Sequence, residues 1–277
     1  MLYICATPIG NLQDITYRAI EILRSSDIIL CEDKRVSQVL LNHHGIIDRK
    51  LVAFHEHNEN EVANKVLTWL NDGQVITQIS DAGTPSISDP GARLCNVVRA
   101  HGYMVVPIPG ACAYTTLLSV SGLNVASLFY GFLPPKKMQR MIVLKSFIDT
   151  KFAICIYESP HRIIDTLEDI IECLGEQQVI TMGRELTKKF ETIKKLSAEA
   201  MLEFIRSDSN QQRGEFVLIL EPAPKCLEED KTLSQDEINL LKILRPQLPP
   251  KRVVEVVSEM YGGNKKYLYQ YLIKTNV

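Results

Sequence analysis

Two hydrophobic spacings alternate along the first 110 residues of the chain. Short β-branched runs at 2–6, 27–31, 74–80 and 104–108 predict strands. Between them apolar residues return every three or four positions: Ile15, Ala19, Ile22 and Leu23 form one stripe, and Val62, Val66, Leu67 and Leu70 another. Asn71-Asp72-Gly73 closes the second as a C-terminal cap. A further helix is expected over 90–101, burying Leu94, Val97 and Val98. Alternation of this kind is the signature of βα units around a mainly parallel sheet.

The pattern breaks at 131–137, "GFLPPKK", where two prolines and two lysines follow an apolar stretch. Beyond it, 152–157, 179–182 and 216–220 read as strands, and Ile163, Ile164, Leu167, Ile170, Ile171 and Leu174 form a helical stripe stopped by Gly175. From about 232 helical patterns are interrupted at Pro246 and Pro249-Pro250, and between Lys242 and Lys274 the cations Lys242, Arg245, Lys251, Arg252, Lys265, Lys266 and Lys274 stand against only Glu255 and Glu259. The expectation is α/β: two α/β domains, 1–115 and 116–225, and a basic helical extension, 226–277.

Composition adds limits. The chain has 277 residues, 45% of them hydrophobic and 23% charged, and a net charge of −2, which argues against an indiscriminate nucleic-acid binder. No apolar run is long enough to cross a bilayer and the N-terminus has no signal-peptide pattern, so a cytoplasmic protein is expected. Seven single cysteines, without a C-x-x-C pair, read as small buried hydrophobes. His55-Glu56-His57 places two histidines at i and i+2, a spacing that does not share a helix face, and no metal is expected.

The unusual residues fall after strands, where ligands sit in open α/β sheets. "SDAGTPSISDPG", 80–91, follows one directly. Asp89 and Pro90 read as the N-cap and first residue of the next helix. Asp81-Ala82-Gly83-Thr84-Pro85 is not explained that way: small residues admit a ligand close to the backbone, and Asp81 can accept from hydroxyl or amine groups. With no lysine and no Walker pattern, the loop suits a polar, uncharged or cationic ligand better than a triphosphate. In the second segment, Ser159 and Pro160 of "YESPHR" again read as a helix start, which leaves Glu158, His161 and Arg162 unexplained. The charged run 183–191 reads either as a solvated face or as a grip on a polyanion or polar substrate.

Taken in order, "TPIGNLQDIT", "SDAGTPSISDPG", "PGACA", "SGL", "GFLPPKK", "YESPHR", "RELTKKFE" and "GEFVLIL" resemble the bacterial small-subunit ribosomal RNA (cytidine-2′-O-)-methyltransferases, S-adenosylmethionine-dependent members of the tetrapyrrole methylase superfamily. The resemblance covers about residues 1–221, and the basic tail resembles that family's C-terminal extension. It implies a homodimer whose two α/β domains fold S-adenosylmethionine into the cleft between them, with small-subunit ribosomal RNA or the assembled subunit as partner and no membrane. Carried over by position, the donor-binding residues are Pro8, Ile9, Asp81, Thr84, Pro85, Ala111, Cys112 and Ala113, with Tyr157, Arg184 and Gly214 from the second domain. The chain departs from the family at Lys34, in "EDKR" where a threonine is usual, and at Cys112, where a serine is usual.

Methyl transfer to a ribose 2′-hydroxyl needs alignment and a base to draw off the proton. Glu158, His161 and Glu185 are the expected bases, with Asp33 as an outside candidate. Arg35, Arg162, Arg184 and Lys188 are expected at phosphates, with the Lys136, Lys137 and Arg140 cluster extending the track. The rivals are a small-molecule or protein methylase of the same superfamily and a non-catalytic RNA-binding assembly factor.

Overall fold

A computed structural model describes residues 1–222, 233–262 and 265–274. Contacts divide the chain into one unit, Met1–Ala223, and a second, Pro224–Val277. The first unit opens with β1 (Leu2–Cys5), α1 (Tyr17–Ser25), β2 (Ile28–Cys31), α2 (Lys34–His43), β3 (Lys50–Ala53), α3 (Glu59–Asn71), β4 (Ile76–Gln78), α4 (Ala92–Ala100) and β5 (Val105–Ile108). The five strands form one parallel sheet in the order β3-β2-β4-β1-β5.

Both faces of this sheet are covered, which is why its strands are short continuous apolar runs. On β2, Ile28 and Leu30 point into a core with Phe54, Val62, Val66, Leu94 and Val98, whereas Ile29 and Cys31 point to the other side with Ala19, Leu23 and Leu41. The expected strand positions hold, with narrower ends. The edge strand β3, built on the short run Leu51-Val52-Ala53, is not among the expected strands.

A linking helix α5 (Ala113–Val120) leads into β6 (Ser127–Phe132), α6 (Lys137–Lys145), β7 (Ala153–Glu158), α7 (Ile163–Leu174), β8 (Val179–Arg184), β9 (Thr192–Ser197), α8 (Ala198–Ser207) and β10 (Phe216–Leu220). These strands form a second, mixed sheet, β6-β7-β10-β8-β9, in which β10 runs antiparallel to both its neighbours. One face packs on α6, α7 and α8 through Leu144, Leu167, Ile170, Met201 and Ile205. The other buries Cys155, Val217 and Ile219 against Leu117 of α5 and Ile9, which comes from the loop after β1.

The second unit has its own small core, Leu241, Val253, Val254, Val257, Leu268 and Leu272. It joins α9 (Gln235–Leu244), α10 (Pro250–Tyr261) and α11 (Lys265–Lys274), the expected helical tail. Pro250 starts α10, and a Ser234/Glu237 capping box starts α9. Cys226 and the expected boundary at 225/226 fall outside the described residues, as do the side chains of Lys266 and Lys274. No helix among the described residues is long and apolar enough to cross a membrane.

Two expected helix starts need correction. Asp89 and Pro90 do not open α4: its N-cap is Gly91, at φ +136°, and the Pro90 carbonyl accepts instead from the buried Gln78 side chain at 2.7 Å. Ser159 and Pro160 open a turn that the Arg162 N–H closes on the Ser159 carbonyl, and α7 begins only after Arg162. Cys5, Cys31 and Cys155 are buried as expected, and burial pushes the Cys5 thiol up to about 12. Cys95, Cys112 and Cys173 are half-buried.

Candidate active site

The carboxyl ends of β1, β2, β4 and β5 bring four loops together, and backbone geometry ties them to one another. Thr7 and Gly83 form an isolated antiparallel bridge, with N–H to carbonyl distances of 2.9 and 3.1 Å in the two directions. Thr7 Oγ1 donates to the Ser80 carbonyl at 2.9 Å. Asp81 Oδ1 accepts the Asp33 N–H at 3.0 Å, and Thr84 Oγ1 donates to the Ala111 carbonyl at 3.0 Å. Thr7, Asp81 and Thr84 therefore each join one strand end to another.

A cavity of about 280 Å³ opens beside this knot, against the second sheet. From the first half Ile9, Gly83, Thr84, Ile87, Asp89 and Cys112 face it, and from the second Phe132, Tyr157, Pro160 and Val217. A further cavity of about 340 Å³ shares Ile9, Ala82 and Glu215 with the first and adds Pro8, Leu12, Val36, Val39 and Asp81. The Tyr157 hydroxyl accepts the Tyr114 N–H at 3.2 Å, and its ring packs edge-on against Phe129 and Phe132. Burial pushes this hydroxyl above its ordinary range, so it stays neutral.

The donor-binding candidates divide. Ile9, Thr84, Cys112, Ala113 and Tyr157 line the first cavity; Pro8 and Asp81 line the second; Pro85 and Ala111 back the knot without lining either. Arg184 and Gly214 stand outside both. The buried Arg184 guanidinium donates to the carbonyls of Arg213, Phe190 and Asn210 at 2.8, 3.0 and 2.6 Å, so it stitches the ends of β8, β9 and β10 instead of reaching a ligand or a phosphate. Gly214 lies under Glu185, where a Cβ would meet the carboxylate at 2.5 Å.

The expected bases are occupied or displaced. The Glu158 carboxylate is fully buried and accepts from the Ser159 N–H, Thr166 Oγ1 and Arg162 at 2.7, 2.7 and 3.0 Å. Glu185 accepts from Lys188 and the Glu215 N–H, which hold its carboxyl below the ordinary value against the opposing pull of burial. The exposed His161 lies outside both cavity walls. Asp33 caps α2, and its hydrogen bonds from Arg35 hold it down to about 2. The residue that sequence reasoning gave away is Asp89, which faces the first cavity, and which burial with nearby Glu32 and Asp81 pushes up to about 6.

The phosphate candidates thin out as well. Arg140 is buried and bonded to Asp169 at 2.6 Å, so it is removed from the expected track. Arg162 is spent on Glu158 and the Leu133 carbonyl, Lys188 on Glu185 and Glu215, and Lys137 on Asp169 and Glu172. Arg35 is exposed beside Asp33, and Lys136 is exposed with no ion pair among the described residues. His55, Glu56 and His57 lie in or beside a short turn, and no group of three His, Cys, Asp or Glu side chains among the described residues could hold a metal ion.

The family model for Tetrapyrrole (Corrin/Porphyrin) Methylases matches residues 1–201. The chain belongs to this family. Curated relatives match nearly the whole length of this tetrapyrrole methylase. It is 43% identical to "Ribosomal RNA small subunit methyltransferase I" of Neisseria meningitidis serogroup B, over 97% of this chain and 91% of that protein. It is 44% identical to the protein of the same name from Haemophilus influenzae, over 98% and 95% of the two chains. Among solved tetrapyrrole methylase structures, uroporphyrin-III-C-methyltransferase from Thermus thermophilus superposes with a TM-score of 0.56 at 14% identity, over 79% of this chain and 93% of that one. Cobalt precorrin-4 methyltransferase does so with 0.57 at 15%, over the same shares. These two likenesses establish the fold: two sheets with helices on them, as expected from the sequence.

Proposed function

We propose that the protein transfers a methyl group from S-adenosylmethionine to the ribose 2′-hydroxyl of a cytidine in small-subunit ribosomal RNA. The observation that carries this reading is the likeness to ribosomal RNA small subunit methyltransferase I, above 40% identity across nearly the full length of both chains, in a chain whose strand-end loops converge on one cleft. The cleft suits such a donor. It offers apolar walls in Ile9, Ile87, Phe132 and Val217 and hydroxyl and backbone groups at Thr84 and Gly83, with no lysine or arginine on the wall. A sulfonium cation with an aromatic base and ribose hydroxyls fits that set, and a triphosphate does not.

When bound, the donor supplies an activated methyl carbon, so the chain's own work is alignment and proton removal. Ile9, Thr84, Cys112, Ala113 and Tyr157 would hold the donor. Lys136, with no ion pair among the described residues, and Arg35, exposed beside its partner Asp33, would meet RNA phosphates. Domains at 1–115, 116–225 and 226–277, a homodimer and a cytoplasmic site of action belong to the same reading.

Titration with S-adenosylmethionine, followed by mapping of 2′-O-methylation in small subunits incubated with enzyme and donor, tests it. One new modified cytidine is expected. Donor binding without any new ribose methylation would point to a different acceptor, and absence of donor binding would sink the enzyme reading.

A further inference from the structure

Asp89 is the carboxylate on the cleft wall that no cation occupies. It lines the cavity beside Thr84, Cys112 and Tyr157, and the groups acting on it are the carboxylates of Glu32, after β2, and Asp81, in its own loop, with a hydrogen bond from the Ser80 hydroxyl. Other acids on or beside the cleft have donors: Glu158 from Ser159, Thr166 and Arg162, Glu185 and Glu215 from Lys188, and Asp33 from Arg35.

The segment that presents Asp89 is built to hold it. Ser86 and Ser88 adopt φ of +68° and +64°, and Gly91 follows at +136°. Side chains avoid such backbone, and it persists where surrounding structure imposes it. The imposing element is Gln78, buried at the end of β4, which donates to the Pro90 carbonyl at 2.7 Å. A Cβ at Gly91 would come within 2.4 Å of the Gln78 amide, so the close fit depends on glycine there. A sequence that spends a buried glutamine and two strained serines on three residues is fixing the residue between them.

We infer that Asp89 is the general base that accepts the ribose 2′-hydroxyl proton during methyl transfer, an assignment that rests on the reaction proposed above. The proton passes to the Asp89 carboxylate, an oxygen electron pair forms the new O–CH₃ bond, and the C–S bond breaks with its pair left on sulfur. The sulfonium charge and the carboxylate charge disappear together, and Asp89 then releases its proton to solvent. A carboxylate raised toward neutrality is still ionised at pH 7 and is a stronger base than an ordinary one.

The test compares wild type with Asp89→Asn and Asp89→Glu in single-turnover methylation of small ribosomal subunits, with calorimetric titration of S-adenosylmethionine in parallel. Asp89→Asn is expected to slow transfer about 10²–10⁴-fold while the donor Kd stays within about twofold, and the wild-type acid limb near pH 6 is expected to vanish. An Asp89→Asn rate within about threefold of wild type, a persistent acid limb, or loss of donor binding would each overturn the assignment. Should Asp89→Asn not fold, Asp89→Glu decides: its acid limb must shift, and an unmoved limb overturns the assignment. Wild-type protein that leaves every ribose unmodified overturns the reaction itself, before any variant is compared.

Discussion

Arg140 on α6 and Asp169 on α7 form a buried ion pair: Nε donates to Oδ2 at 2.6 Å, Nη2 lies 2.6 Å from the same oxygen, and the side chains are only 4% and 2% exposed. The guanidinium also donates to the Pro135 carbonyl. Removing the arginine leaves the buried Asp169 with only the longer, largely exposed contact to Lys137 at 3.4 Å, too little to offset a carboxylate in a low-dielectric interior. Arg140→Ala is therefore expected to cost about 3–5 kcal/mol of unfolding free energy, read by denaturant titration. An Arg140→Ala protein as stable as wild type, with weaker RNA binding, would return this arginine to the phosphate track.

Lys136, next to the same helix, is expected to behave in the opposite way. It is exposed, with no ion pair among the described residues, so Lys136→Ala is expected to leave stability within about 0.5 kcal/mol. Affinity for ribosomal RNA, measured between low and moderate salt, is expected to fall and to lose about one unit of its log–log salt slope. An unchanged slope would remove Lys136 from the interface.

Thr84→Val keeps shape and deletes the hydroxyl that ties the loop after β4 to the Ala111 carbonyl. Loss of one hydrogen bond of this kind costs about 1–2 kcal/mol. Donor affinity is expected to weaken about 5–30-fold, read by calorimetry, with RNA affinity unchanged. Unchanged donor binding would mean that the remaining ties hold the loop alone.

Asp89 also leaves a mark on stability. Its folded carboxyl is raised from 3.8 to about 6, first by burial and then by Glu32 and Asp81. On raising the pH, the unfolded chain loses this proton first, so the folded state binds more protons and stability falls between about pH 4 and 6, then levels off. Asp89→Asn abolishes that contribution and is expected to be about 1–3 kcal/mol more stable than wild type at pH 7–8, and no more stable near pH 4. Melting temperatures of the two proteins across this range check the sign; parallel curves would show that Asp89 is not perturbed.

What the sequence revealed follows from how far each signal reaches. Ile28-Ile29-Leu30-Cys31 announces a strand covered on both faces, because every residue must be apolar to satisfy two cores. The edge strand Thr192–Ser197 does not announce itself, since its Lys194 and Lys195 resemble a solvated charge run, and Lys50–Ala53 offers only three apolar residues before Phe54. Asp89 and Pro90 match a helix start by composition, and what overrides them is Gln78, eleven residues upstream of Asp89, taking the Pro90 carbonyl. Gly91 directly after the proline was the available signal, because glycine disfavours a first helical turn. Arg140 and Glu158 read as free functional charges because Asp169 lies 29 residues beyond the arginine, and the glutamate's donors Arg162 and Thr166 look like part of the next helix.

Ile9 is attached to the first sheet by sequence and to the second by packing: its loop is bridged to Gly83, while its side chain is buried with Leu117, Cys155, Val217 and Ile219. The cleft floor therefore has no independent fold. Amides of the loops after β1 and β4 should exchange with solvent at the same free energy as the inner face of the second sheet, as one cooperative unit. The two halves are consequently poor candidates for modular exchange, since a chimera that swapped one of them would have to rebuild that apolar joint before it could rebuild a binding site.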